Sequence, residues 1–284
     1  DAVGEGVTGV AVGDRVLLQP GLFCGVCEFC RAGEQSTCVS YKMLGEHTAG
    51  TFAERVVVPA RNVFPIPAGL SFEQAAAFPL AYQTAWRMLV GRAAVRAGES
   101  VLIHGVGGGV AWAALEIAVL AGARVVATTS DEAKAARARK AGAELVVNYR
   151  TEDVAQVIRR HTAKRGVDVV VDMVGEATWM TSVRAAAKGG RIVTCGATSG
   201  PHPIEDIRLI FWKQLSILGS TMANDHEFRA LYAAVAAGRL RPRVDQVFPL
   251  SQAVRAYARM ESGEQHGKIV LVPDGVAPDG PDGD

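Results

Sequence analysis

From Ser100 onward the chain alternates strand-length apolar runs with alanine-rich helical stretches, and few folds accept that pattern. Strands are expected at 101–104, 124–129, 144–147, 168–172, 191–195 and 215–219, with helical segments at 109–121, 131–141, 151–162 and 176–187. Such alternation implies an α/β architecture, a parallel doubly wound sheet with helices on both faces.

The flanking text has another character. From Val7 to Pro67 it is valine-rich and short-stranded, broken by Gly13-Asp14, Gly45, Gly50 and Pro59, which predicts a small β-rich barrel or sandwich. Ser71, with Glu73 soon after, opens a helical bridge to Val90, its apolar face made by Ala75, Ala76, Phe78, Ala81, Ala85 and Leu89. Past Met222, helices near 226–237 and 251–261 and a strand at Lys268–Val272 read as a return to the first domain. The expected organisation is therefore 1–77, 78–221 and 222–284, with a disordered Pro/Gly/Asp-rich tail from Ala277 to Asp284. No internal repeat is visible. Asp1 is not a start methionine and strand-like text begins at once, so the true N-terminus, and any targeting signal, is expected to lie upstream.

Charge narrows the partners. A net charge of +1 over 284 residues, with both signs interspersed, offers no basic stripe for nucleic acid or an anionic membrane. No apolar run is long enough to span a bilayer. A soluble, cytoplasmic protein acting on a small-molecule substrate is the expectation.

Four of the five cysteines fall in CGVCEFCRAGEQSTC, as Cys24, Cys27, Cys30 and Cys38, with Gly25 and Gly33 letting the chain wrap around a point. Disulfides between cysteines three apart are strained and need an oxidising compartment, and unrelated thiols rarely cluster this way. Metal is favoured. Zinc with four thiolates has no open position for substrate, so its work is structural; an iron–sulfur cluster is the competing occupant. Cys195 stands apart at a strand end and reads as a small core residue.

The first strand of the alternating region runs into Gly105-Val-Gly-Gly-Gly-Val-Ala111 and then a helix, the context a dinucleotide fingerprint requires. Gly107 and Gly108 would let the backbone approach a pyrophosphate at the positive helix start, with Gly109 and Val110 opening the helix. Ala111 takes the last small-residue position. The second strand ends Thr128-Thr129-Ser130, where an acid would take the ribose hydroxyls of NAD. Hydroxyls with a nearby Lys134 would instead accept a 2′-phosphate, so NADP(H) is favoured over NAD(H). Asp131 reads as a helix cap.

Taken in order, GDRV at Gly13–Val16, the cysteine lobe, GTFAERVVVP at Gly50–Pro59, the glycine loop and HGKIVL at His266–Leu271 resemble the medium-chain dehydrogenase/reductase superfamily over nearly the whole chain. The resemblance implies a GroES-like catalytic domain, incomplete at its N-terminus, and a Rossmann domain. Between them hydride would pass between nicotinamide C4 and a carbonyl, alcohol or activated alkene. It further implies Thr84 beside the nicotinamide ring, Ser130, Lys134 and Tyr149 as 2′-phosphate contacts of the quinone reductase branch, and Val174 and Gly196 as strand-end backbone positions near nicotinamide. Family members often pair through a sheet edge, so a homodimer or homotetramer is implied. The apolar stretch Leu209–Trp212 would serve as core or interface.

One departure matters. Zinc alcohol dehydrogenases of the family take a catalytic metal with ligands upstream of this fragment and a third before Thr84, where this chain has Leu80, which offers no lone pair. Phe78–Thr84 is instead similar to the zinc-free quinone and enone reductases. Without a Lewis acid, charge developing on the substrate oxygen must meet hydrogen-bond donors, for which His47, Tyr82 and Thr84 are the weak candidates. The remaining histidines, His104 at a strand end and His161, His202, His226 and His266 elsewhere, do not pair at metal spacing. Two other readings compete: a zinc-dependent NAD(P) alcohol dehydrogenase, and a non-catalytic nucleotide-binding protein.

Overall fold

The computed structural model describes residues 1–278. The expected disordered tail therefore lies, beyond its first two residues, outside the described residues. Contacts divide the chain into two compact units, Asp1–Gln83 with the segment from Ala223 onward, and Thr84–Met222.

In the first unit β1 (Val16–Leu18) and β2 (Gly21–Leu22) are followed by the short helix α1 (Glu28–Arg31), β3 (Lys42–Met43) and β4 (Val63–Pro65). β1 pairs antiparallel with β4, and β2 with β3. Strands are thus fewer and shorter than a closed barrel needs. The valine run at Val56–Val58 forms none, and Val57 is 98% exposed. A β-branched run becomes a strand only when a neighbour takes its backbone groups, and among the described residues no strand does.

The helical bridge is interrupted. α2 (Phe72–Ala77) starts at a capping box in which the Ser71 hydroxyl accepts the Gln74 N–H at 3.1 Å and the Gln74 side chain accepts the Ser71 N–H at 3.1 Å. Gln74, rather than Glu73, completes the box. Pro79 then starts α3 (Pro79–Trp86), which widens into a π-helical turn at Arg87–Arg92. Proline has no N–H to extend α2, so one expected helix becomes two.

The second unit carries β5 (Ser100–Ile103), α4 (Gly109–Leu120), β6 (Arg124–Thr129), α5 (Glu132–Lys140), β7 (Ala143–Asn148), α6 (Val154–His161), β8 (Val167–Asp172), α7 (Trp179–Ala185), β9 (Ala186–Thr194), α8 (Ile207–Lys213) and β10 (Ser216–Gly219). The strands form one parallel sheet in the order β10-β9-β8-β5-β6-β7. After β7 the chain crosses to β8 on the far side of β5, so the direction of winding reverses between β5 and β8. Ligands of such sheets bind at the carboxyl ends beside that switch. Every residue of β5 is buried, and Val169–Val171 of β8 have no exposure, as sheets covered on both faces require.

One expectation is corrected here and a second is divided. The helix expected to reach residue 187 ends at Ala185, because Ala186 pairs with Val167 and the following residues join β9. Leu209–Trp212, expected as core or interface, divides on α8: Leu209 packs half-buried against the apolar core, whereas Phe211 and Trp212 are 62% and 72% exposed and are not core.

The return to the first unit is α9 (Asp225–Ala236), β11 (Val244–Pro249), α10 (Ala253–Ser262) and β12 (Lys268–Val272), with β11 and β12 parallel. Phe228 of α9 meets the Phe64 ring edge-on at 4.8 Å and stacks on Phe78 at 5.6 Å, seating α9 against β4 and the start of α3. Among the described residues no helix is long and apolar enough to cross a membrane.

Candidate functional site

The cysteine lobe closes because two glycines turn it. Gly25 (φ +80°) and Gly33 (φ +82°) take left-handed conformations on either side of α1, so Cys24, Cys27, Cys30 and Cys38 converge with their sulfurs within 4.8 Å of one another. Cys24 Sγ lies 4.0 Å from Cys30 Sγ and 3.6 Å from Cys38 Sγ, and all five cysteines of the chain are free. A tetrahedral ion with bonds of about 2.3 Å spaces its thiolates about 3.8 Å apart. An iron–sulfur cluster divides the four thiolates among two or four irons and spreads them further, so these separations fit one ion.

Backbone donors already prepare the sulfurs for charge. Cys24 Sγ accepts N–H groups of Val26 and Cys27 at 3.4 and 3.3 Å, and Cys38 Sγ those of Cys24 and Ser40, both at 3.4 Å. N–H groups of Cys30 and Val39 hold the Cys27 thiol down at about 6, whereas burial pushes Cys30 up to about 12. Four thiolates cannot crowd together uncompensated; a divalent cation removes the conflict. The donor set fits zinc and leaves it no open position, so the site is structural. Cys195 is half-buried, and burial with the nearby Asp172 charge pushes its thiol up to about 11.

At the carboxyl edge of the sheet, β5 turns through Gly105 (φ +64°) into α4. Gly105 N–H donates to the Thr128 hydroxyl at 3.1 Å, and Val106 N–H to the Thr128 carbonyl at 2.9 Å, fixing the loop to β6. The N-cap, Gly108, supplies no side chain to cap the helix, which suits an incoming anion. A Cβ at Gly107 would meet the far end of the Lys134 side chain, Cδ at 2.9 Å and Nζ at 3.1 Å, and would push that flexible chain aside. Lys134 thus lies across the glycine loop.

The end of β6 gathers the residues expected for a 2′-phosphate. Tyr149, beyond β7, donates its hydroxyl to Ser130 Oγ at 3.1 Å. Asp131 caps α5 by accepting the Lys134 N–H at 2.7 Å, the role expected of it. Beyond β8 and β9, the Val174 N–H donates to Asp172 Oδ1 at 2.9 Å, and the Gly196 carbonyl accepts the Thr194 hydroxyl at 3.1 Å.

Each of the three oxygen-stabilising candidates has a neighbour within the protein. His47 is exposed, its Nδ1 accepting the Met43 N–H of its own loop at 3.3 Å. Tyr82 is buried and donates to the Arg241 carbonyl at 2.9 Å. Thr84 is buried, its hydroxyl 3.7 Å from Met222 Sδ. Among the described residues, the four-cysteine group alone brings three or more His, Cys, Asp or Glu ligand atoms within such reach.

Sequence reasoning passed over Asp172, which takes four donors with no exposure. An acid closing the valine strand before Gly175 was the available signal.

Comparison with known proteins supplies the family. The chain matches the family models described as alcohol dehydrogenase GroES-like domain over residues 1–68 and zinc-binding dehydrogenase over residues 109–237. Acryloyl-coenzyme A reductase of Metallosphaera sedula is 32% identical over 271 residues, 95% of this chain and 79% of that protein. The chain belongs to the medium-chain zinc-binding dehydrogenases. Quinone oxidoreductase of Homo sapiens is 30% identical over 79% of this chain and 70% of its own length. A crystal structure of an NAD-dependent alcohol dehydrogenase superposes with a TM-score of 0.92 at 46% identity, covering 95% of this chain and 79% of that one. As a medium-chain dehydrogenase the protein is an NAD(P)-dependent oxidoreductase, and its four-cysteine lobe is the structural zinc site.

Proposed function

We propose that this dehydrogenase transfers hydride between NADP(H) and a carbonyl, quinone or enone, or alcohol, with zinc confined to the four-cysteine lobe. The observation that carries the reading is the end of β6, where hydroxyls and an ammonium stand in place of an acid. Ser130 and Tyr149 are hydrogen-bonded there, and Lys134 lies across Gly107.

When bound, the nicotinamide gives or takes the hydride at C4. The rest falls to the chain. α4 offers its first N–H groups, at Gly109 and Val110, to the pyrophosphate, and Gly107 and Gly108 let the backbone approach it, the Gly108 N–H itself closing the turn onto the Gly105 carbonyl at 3.1 Å. The Lys134 ammonium and the Ser130 and Tyr149 hydroxyls hold the 2′-phosphate. Val174 and Gly196 line the nicotinamide end, and Thr84 stands beside the ring. Leu80 cannot ligate a catalytic metal, so the substrate oxygen is met by donors, for which His47 and Thr84 are assigned, the Tyr82 hydroxyl proton being given to the Arg241 carbonyl. A conjugated substrate suits this arrangement, because its developing charge is spread over several atoms. The name of the acryloyl-coenzyme A reductase points the same way.

Residues 78–221 are assigned cofactor binding, and 1–77 with 222–284 the catalytic part. The exposed Phe211 and Trp212 beside edge strand β10 support assembly as a homodimer or homotetramer. The reduced cysteines that zinc requires support a cytoplasmic location.

Lys134→Ala tests the cofactor assignment. NADPH affinity should fall about tenfold or more while NADH affinity stays within about twofold. Equal losses would remove the phosphate from this site. A second reading, an NAD-dependent alcohol dehydrogenase, is favoured by the name of the 46% identical structure. Faster turnover with NADH and an alcohol than with NADPH and quinones, enones or aldehydes would select it.

A further inference from the structure

The strand-end turns assigned to the nicotinamide hang from one buried carboxylate. Asp172, the last residue of β8, has no exposure. Its Oδ1 accepts the N–H groups of Val174 and Gly175 at 2.9 and 3.0 Å. The Thr178 hydroxyl lies 2.9 Å from both carboxylate oxygens, and the Ser182 hydroxyl donates to Oδ2 at 2.6 Å. Behind Ser182, Nε2 of the buried His104 lies 3.0 Å from Ser182 Oγ. Ser182 has one proton and gives it to Asp172, so it accepts from His104, which fixes the Nε2–H tautomer. Burial lowers the His104 pKa against the pull of Asp172, which keeps the ring neutral.

The loop after β9 docks on the turn that Asp172 holds. The N–H groups of Thr198 and Ser199 donate to the carbonyls of Met173 and Val174 at 3.3 and 2.8 Å, and the Glu176 N–H donates to the Gly200 carbonyl at 3.1 Å. The Ser199 hydroxyl adds a bond to the Val174 carbonyl at 2.7 Å. Turn and loop are therefore joined into one shelf. Desolvating a carboxylate costs several kcal/mol, and an apolar residue would pack against the Val169–Val171 end of the strand without that cost. The carboxylate instead spends its acceptors on the turn beyond the strand.

We infer that Asp172, backed by Thr178, Ser182 and His104, is a positioning residue for the nicotinamide end of the cofactor. It holds the Val174–Gly175 turn, and through it the Gly196–Gly200 loop, in the arrangement that receives the ring. The inference rests on the cofactor site proposed above. The adenosine-end residues follow β6, across β5 from β8, so the two ends can be tested apart.

The experiment measures binding of NADPH and of 2′,5′-ADP, which carries the adenosine end without nicotinamide, to the wild type, Asp172→Asn, Ser182→Ala and Thr178→Val. Asp172→Asn should weaken NADPH about tenfold or more, and Ser182→Ala and Thr178→Val about threefold, with 2′,5′-ADP within about twofold of the wild type throughout. Thr178→Ser should restore NADPH binding. If Asp172→Asn does not fold, the two milder variants decide. Any pattern in which NADPH loses no more than 2′,5′-ADP makes the network merely structural and overturns the inference. Failure of the wild type to bind either ligand would instead bring down the cofactor site itself, and the inference with it.

Discussion

The cysteine lobe and the parallel sheet reach order by opposite means. In the lobe the buried hydrophobic residues are Phe23, Cys30 and Cys38, with Tyr41 packed beside them, and the only regular pairing is between two-residue strands. Polar clamps support it: Arg61 stacks 4.5 Å over the Phe23 ring and donates to the Phe23 carbonyl at 2.7 Å, and the Asn62 amide donates to the Gln19 and Gly21 carbonyls at 2.7 and 2.6 Å. The sheet, by contrast, buries Leu102, Val170, Ile192 and Ile158 completely in a continuous apolar layer. A segment with so few apolar side chains cannot offset its conformational entropy by burial, so its ligand bonds must do so. The sheet needs no such help.

The largest test of that contrast removes the ion. Structural zinc contributes roughly 10–16 kcal/mol of apparent binding energy in small domains, far more than a core of three residues. Cys38→Ser should take zinc content from about one ion per chain to near zero. Hydrogen exchange should then show lost protection from Gly21 to Met43, with Ser100–Ile103 and Val167–Asp172 unchanged. Loss of protection in the sheet strands would break the contrast, because it would tie their stability to the lobe.

The converse test is smaller. Leu102 is fully buried at the centre of the sheet, and Leu102→Ala should cost about 2–5 kcal/mol through lost transfer energy and the cavity left behind. Zinc content measured at a temperature where the chain remains folded should stay at about one per chain. A parallel loss of zinc would show that the lobe leans on the sheet.

This contrast also explains what could be read from the sequence. Arg124–Thr129 and Lys268–Val272 are strands where periodicity placed them, and the cysteine spacing led directly to the metal site, because in each case the determining residues are neighbours in the chain. Distant partners decided the rest. Val56–Val58 reads as a strand yet has no pairing, and Ala186 reads as helix yet joins β9 through Val167. Asp172 is one acid among many until the fold brings His104, 68 residues away from it in number, behind Ser182. The 2′-phosphate cluster was half legible: Ser130 and Lys134 follow one strand, but the bond from Tyr149 and the packing of Lys134 on Gly107 needed three dimensions.

The smallest effect separates the two regions by pH. At the amino end of the sheet Asp168 is pushed up by burial, but Arg165, the Ser100 N–H at 2.9 Å and the Ser100 hydroxyl at 2.8 Å outweigh this and hold it at about 2. A carboxyl depressed in the folded state binds its proton less readily there than in the unfolded chain. Its stabilisation, about 2 kcal/mol, is therefore complete above the unfolded value near 4 and disappears as pH falls through about 2. Asp168→Asn should lower the stability of the sheet by about that amount at pH 7, measured by denaturant titration, and the gap to the wild type should close on acidification. The cysteine lobe obeys a different rule, since protons compete with zinc for all four thiolates, so acid should release the ion in the variant and the wild type alike. A pH-independent gap would show that Asp168 acts by packing rather than charge, and would remove the electrostatic contribution from the sheet's side of the comparison.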